Sequence, residues 1–518
     1  MTAPATSLDH LTAPERRGAR QALRELEAHF AAGARVVELH GAAGALGEAL
    51  AAGLAGTAPV IYVCADEEVA EARLEDLAFF LPPPPASDDP LAPPAALQLP
   101  APDPSPYAEM QPDRRALLGR MAALFRLARG FAPRVLVASA QALFRRVVPR
   151  APFEALCWTI RAGATLDREE TVAALARAGF SRASVVEDPG TFAVRGAVID
   201  VFPPVYKHPV RVELLGDEVE SLRLYDAATQ RTLRPLRELH LHPVRDTIRT
   251  RGADPRAKIL AAADAATYPS SKARHLLEQV EEGGTFFGIE ALAPAFHARM
   301  ETVFDYLPAH ALVVVEDPEA VLEAARRHAS KLRETAASRR AEHRIALDAS
   351  EFVLLEDEAR AALEARTRVE LRPVEIAHFG APGGSAAPPP RVHLAAEPNT
   401  TLRAELQRAR AEQSGERLHA AHPDAVDVGK PLRDRLRAWM TDGQRVRLVA
   451  PNRAHADRLV GLLAAWGLAP QAGRAHGFDA LFGDDDPAPL AVLAGSLARG
   501  FRLPADRLVL VAEEEIFG

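Results

Sequence analysis

A strand that is apolar on both faces restricts a chain more than most local signals, because it is satisfied only inside a sheet covered on both sides. Four runs come close to that description: Arg35-Val36-Val37-Glu38-Leu39, Val60-Ile61-Tyr62-Val63, Val135-Leu136-Val137-Ala138 and Ala311-Leu312-Val313-Val314-Val315. Helix-like stretches lie between them, at Glu48 to Ala52 and Glu67 to Phe80. Another is capped by Asp113 and carries Leu117, Leu118, Met121, Leu124 and Phe125 on one face. A long charged stretch, Pro318 to about Arg344, also reads as a helix. This alternation predicts a parallel sheet with covering helices. Between Pro82 and Pro106 stand eleven prolines, which predict an extended loop without regular structure.

From about Phe153 to Pro243 the pattern changes. Val210, Val212 and Leu214 point one way while Arg211 and Glu213 point the other, and Leu222 and Leu224 alternate with Arg223 and Tyr225. Alternation of that kind predicts an antiparallel sheet with one wet face. Near Ile259 the α/β character returns, and it reappears after APGGSAAPPP, with strands at Arg445 to Val449, Ala491 to Ala494 and Leu508 to Val511. The expected organisation is an α/β domain over 1–150, a mostly β insertion over 151–243 and the rest of the α/β domain over 244–375. A linker over 376–390 and a small α/β domain over 391–518 complete it.

At 518 residues the chain is too long for one core. No run reaches 18 consecutive apolar residues, so no membrane span is expected, and the opening MTAPATSLDHL lacks the apolar core of a signal peptide. Two cysteines, Cys64 and Cys157, cannot form a disulfide framework or a structural zinc site, and the cytoplasm is the expected location. The net charge of -8 argues against strong DNA binding, which draws its affinity from neutralising phosphates. Only five of the 62 basic residues are lysine, a bias expected of a GC-rich genome rather than of a function.

Gly41 to Glu48, GAAGALGE, lies between a strand and a helix, where a phosphate-binding loop belongs. Such a loop ends in Gly-Lys-Ser/Thr, because the lysine neutralises phosphate and the hydroxyl holds magnesium. Here Gly41 and Gly44 keep the turn, but Gly47 stands in place of the lysine and Glu48 in place of the hydroxyl, where its carboxylate repels phosphate. Val313-Val314-Val315-Glu316-Asp317 likewise outlines a magnesium-binding strand end with the acids in the wrong order and Pro318 behind them. No nucleotide, magnesium or other cofactor is expected to bind, and no catalysis. The pair of disabled halves resembles a helicase-type domain that has lost its chemistry.

Four stretches make that resemblance specific. They are PYAEMQPDRRALLGRMAALFRL (Pro106 to Leu127), GTFAVRGAVIDVFPP (Gly190 to Pro204), VRVELLGDEVESLRLYDAATQRTL (Val210 to Leu233) and FFGIEAL (Phe286 to Leu292). In order, they resemble the module shared by UvrB, the damage-verifying subunit of excision repair, and the bacterial transcription-repair coupling factors. GSLARGFRLPADRLVLVAEEEIFG is similar to the third domain of the coupling factors. UvrB keeps an intact phosphate loop and inserts an aromatic DNA-clamping hairpin after its Pro-Tyr motif. Here Pro106-Tyr107 runs straight into the helix capped by Asp113, so the coupling factors are the better match and a UvrB-like ATPase the alternative.

The resemblance implies a non-catalytic adaptor that binds UvrA through the antiparallel domain. It carries the UvrA contacts onto Arg182, onto Arg195 of the FAVRG motif, and onto Arg211 and Glu213 of the following strand. Ala193 stands where UvrB has a further arginine. By alternation Arg195 shares a face with Ala193, opposite Phe192 and Val194, and Glu213 is expected to orient Arg211. Complete family members continue into an ATP-driven DNA translocase and contact the RNA polymerase beta subunit and double-stranded DNA. The present chain is therefore expected to be a fragment of a longer protein, its UvrA-binding face covered by the missing motor half.

Overall fold

The computed structural model describes residues 17–83, 89–101, 105–108, 113–248, 252–282, 286, 288–372, 388–417, 429–473, 477–483 and 487–517. Most of the expected linker, parts of the PYAEMQPD and FFGIEAL stretches, and the final glycine lie outside the described residues.

The apolar runs form one seven-stranded sheet. Its order is Arg391–His393, Val36–His40, Arg368–Arg372, Leu312–Glu316, Val60–Cys64, Val135–Ser139, Ala96–Leu99, and every pairing is parallel. The helices Glu67–Phe80, Arg114–Ala128 and Pro318–Ala341 stand where the sequence places them. Asp113 caps the second, accepting from the Arg115 amide at 2.8 Å.

Two expectations need correction. The proline-rich stretch is not wholly irregular: Ala96–Leu99, lying between Pro94 and Pro100, pairs with Val135–Ser139 as the outermost strand. Proline is tolerated beside an edge strand, where one side makes no ladder. And Arg391–His393, read as the opening of the last domain, instead extends the first sheet beyond Val36–His40. Arg368–Arg372 escaped notice because Arg-Val-Glu-Leu-Arg alternates like a half-wet strand. Its polar side is buried by ion pairs, Arg368 to Glu370 at 2.8 Å and Arg372 to Glu370 at 2.6 Å.

Residues 158–246 hold a six-stranded, largely antiparallel sheet in the order Thr232–Leu236, Glu218–Tyr225, Val210–Leu215, Val198–Val201, Thr191–Arg195, Ser181–Arg182. Its inward residues Phe192, Ile199, Val201, Val210, Val212, Leu222 and Leu224 share one buried cluster with Met121 and Phe125 of the Asp113-capped helix. The insertion is therefore packed on the parallel-sheet domain rather than tethered to it. A third sheet, centred on Arg445–Ala450, Leu490–Ala494 and Leu508–Ala512, shares a second cluster with the helices Ala19–Ala31 and Leu46–Leu54. No described helix is long and apolar enough to cross a membrane.

Candidate partner-binding face

The antiparallel register decides which polar side chains meet. Ala193 pairs with Asp200, Asp200 with Arg211, Arg211 with Arg223 and Arg223 with Pro235, which makes one row across five strands. A second row, two residues along, runs Arg195, Val198, Glu213, Ser221. Directly opposed residues in an antiparallel sheet lie on the same face. Arg195, Arg211, Glu213 and Arg223 therefore stand together on the side away from the core.

Within that face Arg211 is held firmly. Its Nε donates to Asp200 Oδ1 at 2.7 Å and its Nη2 to Oδ2 at 3.0 Å, a planar two-point match, and Nη2 also reaches Gln230 at 3.3 Å. The guanidinium lies over the Tyr225 ring, 4.7 Å from its centroid. Asp200 is only 2% exposed, so it acts as a floor beneath the arginine. Hydrogen bonding to Asp200 holds the Arg211 pKa above its ordinary value.

The expected role of Glu213 needs correction. It accepts from Ser221 Oγ at 2.5 Å and pairs with Arg223 Nη2 at 3.1 Å, so it braces Arg223, while Asp200 orients Arg211. Side chains separated by two strand positions reach the neighbouring strand more readily than each other, and that pairing depends on a register hidden from the sequence. Asp200 carries one signal in the sequence, as an acid alternating with the apolar Ile199 and Val201 of the VIDV strand.

Arg195 is exposed, with Nη2 donating to the Ser184 carbonyl at 2.6 Å. Ala193, its expected neighbour in solvent, is covered by Val186 and Phe202. Arg182 is exposed too, but it sits on a two-residue edge strand in register with inward-facing Phe192. The fold brings Arg195, Arg211 and Glu213 together and leaves Arg182 apart from them. Leu233, 49% exposed, and Pro235 border the charged rows on the outermost strand.

In the strand-to-helix turn ahead of Glu48, Gly41 and Gly44 both adopt positive φ, 73° and 60°. Glu48 is buried and contacts Arg73 Nε at 2.7 Å and Arg499 Nη2 at 3.1 Å. Arg73 also grips Glu316 through two bonds of 2.8 Å each. Burial, aided by the nearby carboxylates Glu316 and Asp76, pushes the Glu48 pKa up to about 7. The space left is a cavity of about 230 Å³. Among the described residues no cluster of His, Cys, Asp and Glu is suited to a metal ion.

Ser139 caps a short helix and donates to Glu67 at 2.6 Å, and His40 is buried and stacked on His393 at 5.1 Å. Arg145 is buried as well.

Residues 158–246 match the UvrB interaction domain family. The chain is 31% identical to the transcription-repair-coupling factor of Myxococcus xanthus over 98% of its length, which covers 41% of that relative. It is 28% identical to the transcription-repair-coupling factor of Mycobacterium tuberculosis over 82% of its length and 33% of the relative. Similarity to UvrABC system protein B of Pasteurella multocida is 28% over 30% of the chain and 26% of that relative. The chain thus spans less than half the length of these relatives. Over nearly its whole length it is homologous to transcription-repair-coupling factors, with a UvrB interaction domain folded as its antiparallel sheet.

Proposed function

We propose that this chain is a non-catalytic adaptor that recruits UvrA in transcription-coupled repair, using the outward face of the antiparallel sheet. The observation that carries the reading is Arg211, presented on a rigid strand by buried Asp200 and Tyr225 beside Arg195, Glu213 and Arg223, inside the matched interaction domain. Arginine is favoured at protein interfaces for its planar donors, and a preformed side chain loses little entropy on binding. The partner surface that fits is acidic, with an apolar margin against Leu233 and Pro235.

A UvrB-like ATPase is disfavoured by the loop chemistry, since Gly47 supplies no cation and the Glu48 carboxylate is paired with Arg73. In the full-length relatives the same region would act beside a DNA translocase and the RNA polymerase beta subunit, passing a stalled site to UvrA. ATP and magnesium belong to that motor and not to this chain. The deciding experiment is capture of purified UvrA by the immobilised chain, with Arg211→Ala alongside. Capture that is lost in the variant supports the reading. No capture by the wild-type chain, or equal capture by both, overturns it.

A further inference from the structure

The crevice of the failed phosphate loop is not merely empty of nucleotide. A loop from the third sheet, Gly495–Gly500, enters it from the carboxyl end of strand Leu490–Ala494. Arg499 reaches Glu48 at 3.1 Å and Glu316 at 3.9 Å. The Ala498 amide donates to Asp76 at 2.7 Å, and Ser496 Oγ donates to Glu75 at 2.5 Å. At Gly44 a Cβ would collide with the Gly500 carbonyl, and at Gly41 with the carbonyl of Leu394, so both turns are closed against backbone from the far end of the chain.

We propose that the crevice has become a socket for this arginine-bearing loop, an interaction surface whose partner lies in the same chain, and that its occupancy locks the third sheet onto the parallel-sheet domain. The charges support it. Glu48, Asp76 and Glu316 bring three carboxylates into one crevice, and Arg73 and Arg499 are the cations that face them. Glu48 and Asp76 are buried, and unpaired carboxylates in such a place are strongly disfavoured. Removing one arginine leaves the acids under-compensated, so the socket closes only with the loop in place. In ATPases the same crevice receives an arginine from a neighbouring element to neutralise phosphate. Here protein carboxylates are the anions it neutralises. Residual space of about 230 Å³ falls below the range of ligand pockets, roughly 300 to 1,000 Å³. A Gly47→Lys substitution alone therefore leaves nucleotide excluded.

The test is amide hydrogen exchange, read by mass spectrometry on the full chain, for helix Glu67–Phe80 and loop Gly495–Gly500. Peptides from the antiparallel sheet, Thr191–Leu236, report whether each variant is folded. Arg499→Glu sets a fourth carboxylate against the three and is expected to raise exchange in both segments by about tenfold or more while the sheet peptides stay protected. Arg499→Lys keeps the charge and is expected to restore most of the protection. Exchange in Arg499→Glu equal to wild type would overturn the proposal, and so would Arg499→Lys as open as Arg499→Glu. UvrA capture by Arg499→Glu is expected to be unchanged, since the arginine face lies on a different sheet, so a failed socket and a failed adaptor reading give different results.

Discussion

Arg195 and Arg211 have different supports but stand on the same outward face. Arg211 loses a two-point bond to Asp200 and a ring contact, whereas Arg195 gives up one bond to a backbone carbonyl. For UvrA binding, either truncation to alanine is expected to cost about 2 kcal/mol, roughly thirtyfold in affinity, as for an arginine at an interface centre. Titration calorimetry of each variant with UvrA checks this, and affinities within twofold of wild type for both would remove the site. Asp200→Asn keeps the shape but removes the charge beneath Arg211, and it should reproduce most of the Arg211→Ala loss without Asp200 touching the partner. A double-mutant cycle should then find Arg211 coupled to Asp200, and Glu213 to Arg223, with near-additivity between Arg211 and Glu213. The outward arginines Arg195 and Arg211 were legible from motif and alternation. Their partners were not, because cross-strand register is a property of the assembled sheet.

Among elements, the Asp113-capped helix packs against a buried titratable group. His242 is fully buried, stacks on Phe125 at 5.0 Å and bonds the Pro243 carbonyl at 2.8 Å through Nδ1. Burial pushes its pKa down from 6.5 to about 4. Below pH 6.5 the unfolded chain therefore takes up a proton that the folded chain refuses until about pH 4. The stability this imidazole contributes is complete above pH 6.5 and is lost as pH falls through about 4. Denaturant unfolding at several pH values should show His242→Phe losing less stability than wild type across that window. Parallel slopes would place the acid sensitivity elsewhere, for instance on His328, whose pKa is also pushed down to about 4 by burial. The elements themselves were mostly visible beforehand, since periodicity and caps are local. Ala96–Leu99 and Arg368–Arg372 were not, because each becomes a strand only through the neighbour it pairs with.

For the molecule as a whole, Gly47 and Glu48 in place of a lysine and a hydroxyl predict no heat of binding when magnesium and ATP are titrated into the chain. Micromolar binding would refute the adaptor reading. Weak, lesion-independent DNA binding is expected from the net charge of -8, and a damage-dependent gel shift at physiological salt would favour a UvrB-like activity instead. Gly44→Ala combines a left-handed backbone with a collision against Gly500, so it should lower unfolding stability by more than about 1 kcal/mol, measured by denaturant titration.

The amino-acid sequence by itself determined the parallel and antiparallel patterns, the missing lysine at Gly47, the outward arginines and the family resemblance, because each depends on residues near one another along the chain. Tertiary structure alone decided that Arg391–His393 belongs to the first sheet, that Asp200 rather than Glu213 holds Arg211, and that Arg499 fills the crevice beside Glu48. The physical reason is the same in each case. Strand pairing and burial of charge bring together groups from 11 to 451 positions apart, and the free energy of a buried charge depends on which partner arrives.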